Sequence, residues 1–232
     1  MLFAEGLTHA FGPVRALDGI SFRLEAGHTL AVFGPNGAGK TTLLKVLAGL
    51  LRPQQGRAEI RGGRAAIGWI SHQSFLYGHL TVIENLRFWA SLYGVPPEDR
   101  DRRAQALLAR LGLVERADQR VAGLSRGLAQ RATIARALMH EPTVLLLDEP
   151  FTGLDLAAAA ELRRLLAEQV GTGRGRVAVI ATHNVDEGVE LATDIAFQHR
   201  GRFAQLAPRG GRDGAQVADA YRTAVGGGGT GA

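Results

Sequence analysis

Gly34-Pro35-Asn36-Gly37-Ala38-Gly39-Lys40-Thr41 is the stretch around which the rest of the chain is organised. It satisfies G-x-x-x-x-G-K-[ST], a phosphate-binding loop. A polyphosphate carries several negative charges, and burying them uncompensated is costly. Backbone N–H groups of Asn36, Gly37, Ala38 and Gly39, turned inward, compensate them, and Gly34, Gly37 and Gly39 have no Cβ to block close approach. A helix opening near Gly39 adds the positive end of its dipole. Lys40 then reaches the β- and γ-phosphates as a point charge. The Thr41 hydroxyl takes one position on Mg²⁺, and Thr42, one residue further on, reaches toward the α-phosphate.

The context of this loop fits the motif. Thr29-Leu30-Ala31-Val32-Phe33 reads as a buried parallel strand, and Leu43, Leu44, Val46, Leu47 and Leu50 recur at helical spacing. A glycine-rich turn with no ligand is the alternative; strand, loop and helix in that order speak against it.

A second apolar run, Thr143 to Leu147, ends in Asp148-Glu149. Chemistry in an open parallel sheet gathers at the C-terminal ends of strands. Two carboxylates on an ordinary surface turn would be solvated and idle. Beside a phosphate loop, Asp148 is placed to hold Mg²⁺ through its water shell and Glu149 to act as general base on the attacking water. Val177-Ala178-Val179-Ile180-Ala181 is a third buried strand and runs into Thr182-His183-Asn184. A lone histidine is commonly structural, but His183 ends a strand on the same edge as Asp148.

Ahead of the loop, residues 1–11 and 16–25 read as two strands of a small sheet, with Ile20, Phe22 and Leu24 alternating with polar neighbours. Phe11 lies between them. It suits stacking on a flat adenine ring or an ordinary core position, and the residues alone leave both open. Leu51 to Gly56 is a breaker-rich turn, and extended pieces follow near 57–61 and 65–70, the second running into Ser71-His72-Gln73. Gln73 at the end of a buried strand is a candidate contact for the metal, its bound water or the attacking water. From about Leu76 to Leu138 the pattern is helical. Thr81-Val82-Ile83-Glu84 is a capping box for a helix through Tyr93, and Pro97-Glu98-Asp99 opens another. A third helix follows Leu124-Ser125-Arg126-Gly127-Leu128 and runs to about His140, with Ser125 as its N-cap and a second anion site at its start; the plainer alternative is a cap alone. Leu154 to Val170 reads as a helix closed by Gly171 to Gly175. Beyond Pro208 the composition shifts to Gly, Arg and Asp, with a short helix over Gln216–Val225 and a terminal glycine run, 226–232, that has nothing to pack.

The 232 residues suit one large domain, or a domain with a small subdomain, and suffice for a sizeable core. Cysteine is absent, which excludes disulfides and thiolate metal sites. The N-terminus lacks the pattern of a signal peptide, and no apolar run approaches the roughly 18 residues of a membrane span. Work at a membrane would therefore require another chain to do the spanning. The formal charge is +5, lysine occurs only at 40 and 45, and the arginines are scattered. Solvated helix faces explain that distribution better than a nucleic-acid surface, so no nucleic-acid partner is expected.

Taken together, these motifs resemble the nucleotide-binding subunit of an ATP-binding-cassette (ABC) transporter over about residues 1–206. The loop 34–41, Gln73, a variant of the L-S-G-G-Q signature at 124–128, the strand 144–149, the turn Thr152-Gly153-Leu154-Asp155 and His183 occur in that family's order. The resemblance implies an α/β fold: a P-loop NTPase core of mostly parallel sheet flanked by helices, an N-terminal antiparallel subdomain, and a helical subdomain inserted at about 76–140. Residues 207–232 are then a partly disordered tail. It also implies a head-to-tail homodimer or pseudo-dimer enclosing two Mg-ATP, each phosphate loop facing the partner's Ser125 and Gly127. By resemblance Phe11 stacks on adenine, Asp155 contacts the partner subunit and His183 touches the γ-phosphate. The implied partners are integral membrane permeases, with the chain peripheral on the cytoplasmic face of the membrane. The region after Gln73, with Phe75, Leu76, Tyr77 and Leu80, would receive a helix of the permease; the alternative is that these residues belong to the core of the helical subdomain. The signature departs from the family at Arg126 and Leu128, where glycine and glutamine are expected. Several local stretches are similar to the haem exporter ATPase of cytochrome c maturation, while drug, lipid and polysaccharide exporters share much of that likeness. A soluble cassette ATPase acting on nucleic acid or ribosomes is the alternative; the two cassettes or long coiled-coil insertion usual there are missing.

Overall fold

The computed structural model describes all residues except His72, 171–174 and 227–232. The histidine just before Gln73, most of the helix-closing glycines and nearly all of the terminal glycine run therefore lie outside the described residues.

Two sheets carry the chain. Strands β1 (Leu2–Phe11), β2 (Val14–Leu24) and β4 (Gln55–Ile60) form an antiparallel sheet in the order β2-β1-β4. The larger sheet runs β5-β6-β7-β3-β8-β9. Its strands are β3 (Thr29–Phe33), β5 (Ile67–Ser71), β6 (Val144–Asp148), β7 (Val177–Thr182), β8 (Asp194–His199) and β9 (Arg202–Pro208). All its pairings are parallel except β8 with β9. The fold is α/β, as the sequence implies.

The central strands are buried on both faces, and their side chains divide by period two. Leu145 and Leu147 of β6, with Ala178 and Ile180 of β7, pack into one core with α2 (Val82–Leu92), α3 (Pro97–Arg110), α4 (Arg126–Leu138) and α5 (Leu156–Ala167). Val144, Leu146, Val177 and Val179 face the other way, onto α1 (Lys40–Leu47) and the antiparallel sheet. Leu43, Leu44, Val46 and Leu47 of α1 are buried there between the two sheets, each such leucine contributing about 1.5–3 kcal/mol on burial. The capping box forms: Thr81 Oγ1 accepts from Glu84 N at 3.2 Å, and Glu84 Oε2 accepts from Thr81 N at 2.8 Å.

Several expected boundaries move. The helix expected from Leu154 begins at Leu156, because the Asp155 carboxylate caps it by accepting from Ala158 N at 2.8 Å. The extended piece expected over 65–70 starts as a short 3₁₀ turn, Gly63–Ala66, and only then becomes β5. Three elements went unread: α6 (Val185–Val189), β8 and β9. The stretch expected as a tail contains the end of β9 and then α7 (Gly214–Gly226), which packs on the sheet. Val217 is fully buried in a cluster with Phe33, Ile195 and Phe197, and the Tyr221 ring meets Phe197 edge-on at 5.4 Å.

Candidate nucleotide site

The C-terminal ends of β3, β5, β6 and β7 lie level: Ser71 pairs with Asp148, Asp148 with Ala181, and Phe33 with Thr182. Beside the ends of β3 and β6 lies a cleft of about 370 Å³, lined by Phe11, Val14, Ala16, Asn36, Gly37, Gly39, Lys40, Thr41, Thr42, Asp148 and Glu149.

The phosphate loop leaves β3 and enters α1. Gly39 is the N-cap, with φ 102°, and it offers no side-chain acceptor; no acidic residue occupies the first turn. No acidic side chain of the helix itself therefore opposes an anion at its start. The reason for Gly34 and Gly39 is partly different from that expected. A Cβ on Gly39 would overlap the Ala16 carbonyl, and one on Gly34 would overlap the Gln198 carbonyl. Their smallness lets β2 and β8 support the loop from below, in addition to leaving its upper side open. Lys40 is 6% exposed, and its Nζ donates to the carbonyls of Gly34 at 2.8 Å and Pro35 at 3.2 Å. Ala38 lies buried within the loop, outside the cleft lining.

Opposite the loop stand the two carboxylates. Thr41 Oγ1 donates to Asp148 Oδ1 at 3.0 Å. Glu149 follows with φ 49°, a left-handed conformation uncommon outside glycine. That turn brings side chains from adjacent positions to one cleft, although a straight strand would send them to opposite faces. The backbone is held there by Glu149 N donating to Ala181 O at 2.8 Å. Lys40 Nζ lies 3.5 Å from Glu149 Oε1, and His183 Nδ1 lies 2.9 Å from Oε2. Thr152 Oγ1 reaches the same Oε2 at 3.4 Å.

The donor set around Thr41 suits a hard divalent cation. A hydroxyl and a carboxylate 3.0 Å apart provide two oxygen ligands, and Mg²⁺ commonly takes one or two from protein and the rest from phosphate and water. No cluster of three or more His, Cys, Asp or Glu able to hold a metal alone occurs among the described residues.

Phe11 is 55% exposed at the cleft mouth, its ring edge-on to His9 at 4.8 Å, so it is no core residue. Gln73 is exposed just beyond β5 and does not line the cleft. Ser125 and Gly127 lie in a separate hollow of about 220 Å³ with Arg126, Gly153 and Asp155. Ser125 Oγ caps α4 by accepting from Leu128 N at 3.4 Å. Sequence reasoning missed Val14 and Ala16 as lining residues, and Thr152 and Gln130 as supports of the Glu149 loop. Gln130 is buried and donates Nε2 to Pro150 O at 3.0 Å. Thr152 carried a usable signal, since it stands three residues after Glu149 and its N–H closes a turn onto Glu149 O at 3.2 Å.

The family model described as "ABC transporter" matches residues 17–152, more than half the chain. The chain belongs to the ABC transporter family. It is an ATP-binding ABC ATPase domain. It is 36% identical over 213 residues to the sulfate/thiosulfate import ATP-binding protein CysA of Nephroselmis olivacea, covering 88% of this chain and 62% of that protein. It is 39% identical over 201 residues to the aliphatic sulfonates import ATP-binding protein SsuB 1 of Nocardia farcinica, covering 86% and 78%. The chain thus spans less than two thirds of the CysA relative's length. Among solved structures, the dimeric ATP-binding cassette MJ0796 in a post-hydrolysis state with ADP and Pi superposes with a TM-score of 0.80. That match has 25% identity and covers 91% of this chain and all of that one.

Proposed function

We propose that the chain is the ATP-hydrolysing motor subunit of an ABC transporter, dimerising around two Mg-ATP and driving separate membrane-spanning subunits. The observation that carries this reading is that Lys40 and His183, which follow β3 and β7, both meet the carboxylate of Glu149, which follows β6 and lines the cleft of the phosphate loop. Lys40 and the N–H groups of residues 36–39 bind the polyphosphate, Thr42 reaches the α-phosphate and Phe11 covers the base. Glu149 accepts a proton from the attacking water, and His183 fixes that carboxylate and meets the γ-phosphate. Thr41 and Asp148 would hold Mg²⁺, which when bound offsets charge on the transferred phosphoryl group. Gln73 would contact the metal, its bound water or the attacking water.

The second half of the site would come from a partner subunit. Ser125 and Gly127 sit in a hollow of their own on this chain, apart from its phosphate loop, as a head-to-tail pairing requires. The dimeric state of MJ0796 supports that arrangement. Beside them Leu156 is 92% exposed, a leucine left for a partner surface.

No helix among the described residues is long and apolar enough to cross a membrane. A patch of Phe75, Tyr77, Phe88 and Leu92 is exposed beyond β5 and along α2, with Tyr77 edge-on to Phe88 at 5.0 Å. Buried Asn85 shapes the loop that presents it, accepting from Tyr77 N at 2.8 Å and donating to Tyr77 O and Thr81 O. We assign this patch to the permease, with the chain peripheral at the membrane face. The relatives above are named for import of sulfate, thiosulfate and aliphatic sulfonates; they give haem export no support. Equilibrium ATP binding and ATPase assays on the purified chain and Lys40→Ala test the reading. Hydrolysis by the natural chain and weakened binding by the variant are expected; equal affinity and turnover for both would overturn it.

A further inference from the structure

The guanidinium of Arg126, at the start of α4, folds back onto the loop that follows Glu149. Its Nη2 donates to Thr152 O at 2.9 Å. The floor under it is Gly153, at φ +74°, and a Cβ there would overlap the guanidinium. No carboxylate pairs with Arg126 among the described residues, so no ion pair competes for the group. A cation at a helix N-terminus is opposed by the helix dipole, and turning its charge onto a carbonyl of the neighbouring loop relieves that conflict. Gln130, one turn further along the same face of α4, donates to Pro150 O at 3.0 Å. The helix thus holds the loop 150–153 at two points, and the hydroxyl of Thr152 within that loop reaches Glu149 Oε2 at 3.4 Å.

We infer that Arg126 is a positioning residue for hydrolysis: it fixes Thr152 so that the Thr152 hydroxyl stays on Glu149. The N-terminus of α4, where Ser125 and Gly127 lie, is thereby linked to the carboxylate in the phosphate cleft of the same chain. An arginine at this point of the signature acts inward on its own subunit. This inference rests on Glu149 being the general base.

A double-mutant cycle on the full chain tests it, with steady-state ATPase measured for Arg126→Ala, Thr152→Val and the pair, alongside Arg126→Lys and Glu149→Gln. Loss of one charge-assisted hydrogen bond predicts that Arg126→Ala lowers kcat by about three- to tenfold, with KM for ATP and Tm unchanged. In the Thr152→Val background Arg126→Ala should cost nothing further, because the path to Glu149 is already cut. Arg126→Lys, which keeps a cationic donor, should restore part of the loss. Multiplying effects in the double variant, a loss confined to KM, a wild-type kcat for Arg126→Ala, or a loss with lowered Tm that lysine does not rescue would each overturn the inference. Wild-type turnover by Glu149→Gln would instead overturn the reading of the base on which it rests.

Discussion

Nδ1 of His183 stands 2.9 Å from Oε2 of Glu149, joining the ends of two adjacent parallel strands. With the proton on Nδ1 this is a donation to the carboxylate, which fixes one oxygen and leaves Oε1 beside Lys40 at 3.5 Å. His183 is 54% exposed at the ring, so it can turn toward a γ-phosphate without breaking the core. His183→Ala should lower kcat by roughly tenfold or more while leaving ATP affinity nearly intact. ATPase assays set against equilibrium nucleotide binding separate the two, and a loss confined to affinity would refute the role.

Phe11 lies at the cleft mouth with more than half of its surface open. Aromatic stacking on a base is worth about 1–3 kcal/mol per base, so Phe11→Ala should weaken ATP binding by roughly five- to a hundredfold, and Phe11→Tyr should not. Fluorescence titration with ATP would show this. Equal affinities for all three proteins would remove Phe11 from the adenine site.

Burial lowers the pKa of His140 below its ordinary value; the neighbouring Arg136 adds to that, and the contact of Nε2 with Ile67 O only partly offsets it. The ring also lies 4.0 Å from that of Tyr93. The folded chain therefore binds fewer protons here than the unfolded chain. This group's contribution to stability is complete above about pH 6.5 and is lost as pH falls below that value toward the folded-state pKa. Urea midpoints at pH 7.5 and 5.5 should converge in His140→Gln relative to the natural chain. An identical pH dependence in both would refute the assignment.

The phosphate loop, the strand ending in Asp148-Glu149 and the capping box at Thr81 were legible because each is a local pattern with its own mechanism. The boundary at Leu156 was missed because Asp155, taken as part of the helix, is its cap. Strands β8 and β9 were missed although Arg200-Gly201 between them, at φ 46° and 80°, has the geometry of a tight hairpin turn. The short helix expected over Gln216–Val225 is present as α7, two residues longer at its start, but its docking is set by Val217 and Tyr221 against Phe197, contacts between residues far apart in sequence. Within the site, the Arg126 contact with Thr152 joins positions 26 apart in the chain, and no motif encodes it.

The central claim is that Glu149 is the base for ATP hydrolysis in the cleft formed by residues 34–42. Glu149→Gln keeps the shape of the side chain but puts an NH2 in place of one of the two oxygens that face Lys40 and His183, and it cannot accept the proton from water. The decisive measurement is single-turnover hydrolysis of bound ATP by this variant, with ATP affinity and ATP-dependent dimer formation measured on the same preparation. ATP should bind with undiminished affinity, dimers should accumulate and persist, and cleavage should fall by about 10²- to 10⁴-fold. Cleavage at the rate of the natural chain, with ATP bound, would contradict the account.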